Sequence, residues 1–244
     1  MRDSYRHFAS EFIGTFFLVF IGGGAIMMAP EGGAGLIAIA IAHGFALAIG
    51  VTALMRISGH FNPAVTFGFL VTRRIEPMMA GLYIVAQILG AMAASYALKG
   101  LIPAAMFALA HGGIQSISID ISGTQAFFLE AIATFMLVFV VFATAVDPQA
   151  PKVGGFAIGL VVMVGILAIG PLTGGSMNPA RSFGPAVAVG MYEGQIIYWL
   201  GPIFGGIVAA AMYEGLFLRR APEPVDHGVV QPDTPEPRGR KSRG

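Results

Sequence analysis

The sequence contains no cysteine and very few charged residues. None of its 244 residues is cysteine, and only 11% are Asp, Glu, Lys or Arg, compared with about 25% in a typical soluble domain. Without thiols, the chain has no means of forming a disulfide framework, a cysteine nucleophile or a cysteine-based zinc site. The formal net charge of +1 creates no strong attraction to nucleic acid. We predict no cofactor, no metal site, no nucleic-acid partner and no catalytic site, so the protein is not expected to be an enzyme.

The chain instead contains long uncharged, mainly apolar stretches. They cover residues 12–30, 32–55, 77–98, 131–146, 153–180 and 194–213. A hydrocarbon core of roughly 30 Å takes about 20 mostly apolar residues per helical crossing. One large apolar core in a soluble protein does not easily account for so many runs of this kind. The sequence therefore predicts an all-α membrane protein that lies in the lipid bilayer.

Six transmembrane helices are predicted from these stretches. Their approximate limits are 8–29, 34–57, 77–99, 124–146, 153–171 and 194–218. When the crossings are counted alternately, one side holds most of the flanking basic residues, namely Arg2, Arg6, Arg56, Arg73, Arg74, Lys152, Arg219 and Arg220. The positive-inside rule makes this side cytoplasmic and places both termini there. Residues 221–244 are polar and predict a disordered cytoplasmic tail, and the short, plain termini favour the cell (plasma) membrane.

The first half of the chain recurs in the second half. Residues 59–68 match residues 175–184, and both segments contain Asn-Pro-Ala, as Asn62, Pro63 and Ala64 and, 116 residues later, as Asn178, Pro179 and Ala180. A second pair of matching segments begins at Glu11 and at Glu130. Each half, about 8–99 and 124–218, contains three crossings and one short segment. Because three is odd, the two halves must insert in opposite orientations, which is an inverted repeat.

The short segments 63–72 and 179–189 cannot cross a bilayer, and both follow an Asn-Pro pair. Asn is a favoured N-cap residue, and Pro is favoured at the first position of a helix. Two inverted half-helices that enter from opposite sides would meet start to start, with the positive ends of their dipoles facing one region. Non-helical backbone at this depth is tolerated only where it lines a protein or water cavity. The repeat therefore predicts a hydrated path at the centre of the molecule.

At these two loops the chain resembles the aquaporin, or major intrinsic protein, family. The resemblance covers about residues 8–218 and is carried by residues 58–66 and 175–184. It implies six transmembrane helices with two re-entrant half-helices, in a channel domain of residues 1–220. It also implies a passive channel for water and small uncharged solutes that excludes protons and ions, assembled as a homotetramer. A secondary transporter and a non-conducting structural protein of the same fold remain as alternatives.

The family's narrow selectivity filter maps by this resemblance onto His43, Ile166, Gly175 and Arg181. That set is most similar to the filter of tonoplast-type intrinsic proteins and implies that ammonia accompanies water. His111, in the connection between the third and fourth crossings, is a candidate for an additional filter residue. The chain has one residue fewer than the family pattern between Ser58 and His60, and the placement of His43 assumes this deletion.

Two carboxylates and one histidine are predicted to support the central loops. Glu11 and Glu130 are costly inside lipid and require partners. Each could relay protons, or each could accept amide protons from the unwound loop before a half-helix, and we favour the second interpretation. His60 is interpreted as an anchor of its loop near the inner mouth rather than as a gate.

Overall fold

The computed structural model describes residues 4–32, 35–151 and 153–218, and within these ranges it contains helices and no strands. The α-helices of the described ranges are α1 (Ser4–Gly32), α2 (Gly35–Leu54), α3 (Pro63–Val71), α4 (Pro77–Leu101), α5 (Ala104–Leu109), α6 (Gly123–Val141), α7 (Phe156–Thr173), α8 (Pro179–Val189) and α9 (Gln195–Leu216). A 3₁₀ turn covers His111–Gly113, and a π-helical turn covers Phe142–Val146.

Six of these helices are long and apolar enough to cross a membrane, namely α1, α2, α4, α6, α7 and α9. The predicted all-α fold with six spans and two shorter helices is confirmed. The limits differ by a few residues, since α1 begins at Ser4 and α7 at Phe156. The predicted tail at 221–244 lies outside the described residues, as do Arg2, Lys152, Arg219 and Arg220.

The long helices pack as pairs that repeat between the two halves. Helix α1 packs against α4, and α6 packs against α9. In both pairs a glycine lies directly against the partner's backbone: a Cβ on Gly90 would collide with the carbonyl of Phe12, and a Cβ on Gly205 would collide with that of Ala131. Lipid tails are as apolar as leucine, so helices in a bilayer gain their association from close packing of this kind.

The two short helices are the re-entrant elements, and both begin at an Asn-Pro pair. Asn62 and Asn178 have extended backbone and serve as the N-caps of α3 and α8. At its other end, α8 offers the carbonyl of Ala188 to the ammonium group of Lys99 at 2.6 Å. A cation at this position is favourable because the C-terminal end of a helix carries partial negative charge.

Two connections contain structure that the sequence did not predict. Helix α6 continues into the π-helical turn, which closes with a hydrogen bond from the amide of Asp147 to the carbonyl of Phe142 at 2.9 Å. The carboxylate of Asp147 also accepts a hydrogen bond from the Tyr213 hydroxyl of α9 at 3.0 Å. Helix α5 and the 3₁₀ turn lie between α4 and α6.

The glycine contact between α6 and α9 leads to a first prediction. Gly205→Ala should lower the free energy of unfolding by about 1–3 kcal/mol, the usual cost of overpacking, because the added methyl group meets the backbone of Ala131. Gly215→Ala in the same helix is the matched control, since a Cβ there meets nothing within 4 Å. Thermal unfolding in detergent measures both variants. Equal melting temperatures for the two would contradict the prediction.

Candidate functional site

The side-chain oxygens of the two asparagines cap the half-helices. Oδ1 of Asn62 accepts a hydrogen bond from the amide of Ala64 at 2.8 Å. Oδ1 of Asn178 accepts one from the amide of Ala180 at 3.0 Å and one from that of Arg181 at 3.3 Å. Helix starts leave such amides without intrahelical partners, and asparagine at the N-cap satisfies them. The capping bonds also fix each carboxamide with its oxygen toward its own helix.

The side-chain nitrogens of the same residues join the two half-helices. Nδ2 of Asn62 donates to the carbonyl of Met177 at 2.7 Å, and Nδ2 of Asn178 donates to the carbonyl of Phe61 at 2.8 Å. Each half thus bonds to the residue just before the asparagine of the other half. A carboxamide nitrogen carries two N–H groups, so each asparagine keeps one further donor for a molecule in the cavity that both residues line.

A buried carboxylate holds the loop before α3. The carboxylate of Glu11 accepts from the amide of His60 at 2.9 Å and from that of Phe61 at 2.7 Å. It also accepts from the hydroxyl of Ser58 and the side-chain amide of Gln87, each at 2.7 Å. Glu11 has no exposed surface. Four donors on one carboxylate compensate the cost of burying its charge.

The second half repeats this arrangement before α8. The carboxylate of Glu130 accepts from the amide of Ser176 at 2.8 Å and from that of Met177 at 2.7 Å. The hydroxyl of Thr173 supplies a third donor at 2.7 Å. Like Glu11, Glu130 is fully buried and is absent from the residues that line the central cavity. Both carboxylates therefore contact loop backbone and neighbouring polar side chains rather than the central cavity.

The residues before the asparagines have an unusual backbone conformation. Phe61 has φ = 48° and Met177 has φ = 53°, a left-handed region that costs energy for residues other than glycine. Both are bonded on either side: the amide goes to the carboxylate of the same half, and the carbonyl receives the asparagine of the other half. These bonds keep the strained backbone in place.

A chain of cavities leads from the basic side of the molecule to the asparagine pair. The inner vestibule has a volume of about 240 Å³, and the central cavity one of about 20 Å³. A single water needs about 10–15 Å³, so the central cavity has room for one molecule of this size. The two spaces are adjacent and share four lining residues, which are Gly59, His60, Val141 and Ile158.

The four predicted filter residues come together on the outer side of the central cavity. Nη1 of Arg181 donates to the carbonyl of Gly175 at 2.9 Å, and a Cβ on Gly175 would lie 3.1 Å from Cα of Ile166. Arg181 lies close enough to His43 for an electrostatic interaction between the two side chains. All four residues are buried. Nε and Nη2 of Arg181 have no hydrogen-bond partner in the described protein.

The four predicted filter residues lie between two separate spaces. The outer vestibule, of about 330 Å³, is lined by Ile166 and Gly174 among others. Arg181 lines the central cavity, and the two spaces share no lining residue. The region around His43, Ile166, Gly175 and Arg181 is the proposed constriction.

Gln115, rather than His111, lies beside the proposed constriction. His111 has an exposed side chain in the 3₁₀ turn, and its role as an additional filter residue stays a prediction. Gln115 of the same connection is only 4% exposed and lines the outer vestibule. A Cβ on Gly174 would lie 2.9 Å from Cβ of Gln115, and Oε1 of Gln115 is unpartnered among the described atoms. No sequence signal singled out this glutamine.

His60 lies where the inner vestibule meets the central cavity. Its ring lies between the rings of Phe69 and Tyr83, with centroid distances of 4.2 and 5.0 Å. Nδ1 is 3.1 Å from Oγ1 of Thr66, and the backbone amide donates to Glu11. These contacts hold the ring against the wall of the pore.

Comparison with known proteins agrees with this geometry. The family model "Major intrinsic protein" matches residues 1–213. The chain belongs to the major intrinsic protein family. It is 45% identical over 226 residues to Aquaporin TIP2-3 of Zea mays, covering 88% of this chain and 89% of that protein. It is 42% identical over 230 residues to Aquaporin TIP2-1 of Arabidopsis thaliana, covering 88% of each.

A solved structure of the family has the same fold. The X-ray structure of the aquaglyceroporin from Plasmodium falciparum superimposes with a TM-score of 0.75 at 27% sequence identity, covering 87% of this chain and 96% of that one. As a member of the major intrinsic protein family, the protein is a passive membrane channel for water and small solutes and is not an enzyme. The central cavity lies beside the starts of the two half-helices, where such a channel requires its path.

The predicted plasma-membrane location is wrong. The named relatives are tonoplast intrinsic proteins, which sit in the vacuolar membrane rather than the plasma membrane. The prediction rested on the short, plain termini. Insertion depends on the length and hydrophobicity of the spans, and these properties do not distinguish between membranes of similar thickness. The six apolar spans do support a multi-pass membrane protein.

Glu130, whose carboxylate holds the loop before α8, leads to a second prediction. Glu130→Gln keeps the shape of the side chain but turns an NH₂ group toward the amide of Ser176 or Met177, which then lacks an acceptor. An unsatisfied buried donor costs about 1–3 kcal/mol, so both folded yield and water permeability should fall. Glu76→Gln, at an exposed position without a side-chain capping bond, is the matched control.

The measurements are thermal unfolding in detergent and osmotic permeability of proteoliposomes. Wild-type stability and permeability in Glu130→Gln would show that the carboxylate does not hold the loop.

Proposed function

We propose that this channel conducts ammonia together with water and excludes protons and ions, with His43, Ile166, Gly175 and Arg181 as its selectivity filter. The observation that carries the proposal is the contrast within the constriction. Arg181 contributes two buried nitrogens, Nε and Nη2, without protein partners, whereas Ile166 and Gly175 contribute no side-chain donor or acceptor. By resemblance, water-selective members of the family often have histidine at the position of Ile166.

The apolar part of the constriction favours a solute that gives up its hydration easily. Ile166 is 1% exposed and lies against Gly175, whose missing side chain leaves room beside it. When a solute enters an apolar passage, the loss of its hydrogen bonds to water costs free energy unless a hydrogen bond to the protein replaces them. Arg181 supplies that bond to an incoming lone pair, which ammonia and water both possess. The remaining wall then discriminates less against ammonia than a histidine would.

Cation exclusion is attributed to Arg181. The guanidinium remains charged at all ordinary pH values, and this one is 3% exposed at the narrowest part of the path. Like charges a few ångströms apart repel strongly where water is scarce. Ammonium and hydronium are therefore disfavoured in the constriction, whereas neutral ammonia is not.

Proton exclusion is attributed to the asparagine pair. The oxygens of Asn62 and Asn178 are engaged in capping, so only N–H donors remain toward the cavity. A water there turns its oxygen to both donors and its hydrogens away from the centre. The positive ends of α3 and α8 add a field in the same sense. Aquaporin pores are the standard example of such an electrostatic barrier.

The family resemblance also supports assembly as a homotetramer with one pore in each protomer. In this proposal residues 1–220 form the channel domain, Glu11, Glu130 and His60 support its central loops, and residues 221–244 form the tail, which lies outside the described residues. Cross-linking in the native membrane tests the assembly.

The filter assignment leads to a third prediction. Ile166→His should lower ammonia permeability more than water permeability, because it adds a polar group and bulk to the apolar wall. Ile166→Val, which keeps the wall apolar, is the matched control and should keep the wild-type ratio. Stopped-flow light scattering on proteoliposomes gives the water flux, and an internal pH dye gives the ammonia flux. An equal fall of both fluxes in Ile166→His, or no ammonia flux in the wild type, would overturn the substrate proposal.

The arginine leads to a fourth prediction. Arg181→Val should admit ammonium ions, seen as a faster collapse of an imposed potassium diffusion potential when proteoliposomes are placed in ammonium buffer. Arg56→Val removes a charge at the exposed inner end of α2 and serves as the control without a leak. An Arg181→Val channel that still conducts water but admits no ammonium ions would refute the assigned role of Arg181.

A further inference from the structure

Helix α1 leaves a gap in its side-chain surface at Gly22, and the ring of His43 fills it. A Cβ on Gly22 would lie 2.7 Å from Cε1 of His43 and would collide with Nε2 and Cδ2. At Gly24, two residues further along α1, the nearest heavy atom to an added Cβ is a methyl carbon of Leu98 at 3.8 Å. Position 22 therefore has to lack a side chain because the imidazole ring of His43 occupies that space.

One hydrogen bond determines which nitrogen of this ring carries hydrogen. Nδ1 of His43 is 2.8 Å from the carbonyl of Ile39, one turn earlier in α2. A carbonyl oxygen only accepts hydrogen bonds, so Nδ1 carries the hydrogen, and Nε2 of the neutral ring has a free lone pair. Nε2 makes no hydrogen bond to the described protein, and it lies on the side of the ring that faces Gly22.

The ring has little freedom to move away from Gly22. His43 is 1% exposed, and its Nδ1 is tied to the backbone of its own helix. The side away from α1 is the constriction itself, where Arg181 lies within electrostatic range. An atom added at Gly22 would push the ring into the constriction or break its bond to Ile39. Either movement changes the space left in the proposed filter.

We propose that Gly22 is a positioning residue of the filter: its missing side chain lets the His43 ring lie against α1, with Nδ1 bonded to Ile39, and so keeps the ring from closing the constriction. This inference rests on the proposed function in that it takes His43 as a filter residue.

A double-mutant cycle tests the proposal on the full chain in proteoliposomes, with water and ammonia permeability normalised to the amount of folded protein. Gly22→Ala should lower both permeabilities several-fold and raise the activation energy of water permeation after subtraction of the protein-free background. Activation energy is a property of each channel, so a smaller number of folded channels does not change it. Gly24→Ala is the matched control and should behave as the wild type.

The second arm of the cycle removes the ring. In a His43→Ala background, Gly22→Ala should have no further effect, because the atom with which the added methyl collides is gone. A wild-type activation energy in Gly22→Ala, or an equal loss in both backgrounds, overturns the proposal. If Gly22→Ala fails to fold, recovery of folded protein in the double variant supports it, and continued failure overturns it.

Failure of the proposal for Gly22 can be distinguished from failure of the proposed function. A wild-type channel that passes water but no ammonia refutes the ammonia proposal, whereas the cycle on water permeability still decides the role of Gly22.

Discussion

The structure depends on two reciprocal hydrogen bonds between the starts of its half-helices. Each helix start brings unpaired amides and partial positive charge into the middle of the bilayer, and the two ends would repel each other without further contacts. Asn62 and Asn178 bond across to carbonyls of the opposite half, while Glu11 and Glu130 accept the loop amides from behind. The same four side chains thus allow the chain to stop in mid-membrane and leave donors for a solute.

The two halves share this backbone arrangement but use it differently. In the first half, Gln87 of α4 donates to Glu11 and to Thr66 of α3, at 2.7 and 3.0 Å, which stiffens the inner loop. The matching position of α9 is Pro202, which has no side-chain donor. The second half instead has Arg181 one residue after its Asn-Pro-Ala, where the first half has valine. A symmetric frame with unequal side chains places the proposed constriction on one side of the asparagine pair and the inner vestibule on the other.

Much of the fold could be predicted from the sequence, because span length, the odd number of crossings per half and the Asn-Pro starts are local signals with few structural solutions. The approach of Gln115 to Gly174 could not be predicted, since the position of a connection relative to a pore is a tertiary property. The π-helical turn after Val141 shows no sequence periodicity of its own. The physical principles of membrane insertion do not determine which cellular membrane a protein reaches. The inference of a plasma-membrane location from the termini therefore failed.

Positions without side chains shape the constriction as much as the side chains do. Gly175 has φ = 56°, a conformation that glycine adopts without strain, and its carbonyl accepts the bond that orients Arg181. A Cβ at the same residue would press on Ile166 at 3.1 Å. Gly22 provides the space for His43 on the opposite wall. A filter only slightly wider than its solute has no room to accommodate an extra methyl group by relaxation, because its donors are fixed to backbone on both sides. In the proposed filter, selectivity therefore depends on where backbone is left bare, together with the charge placed between those bare positions.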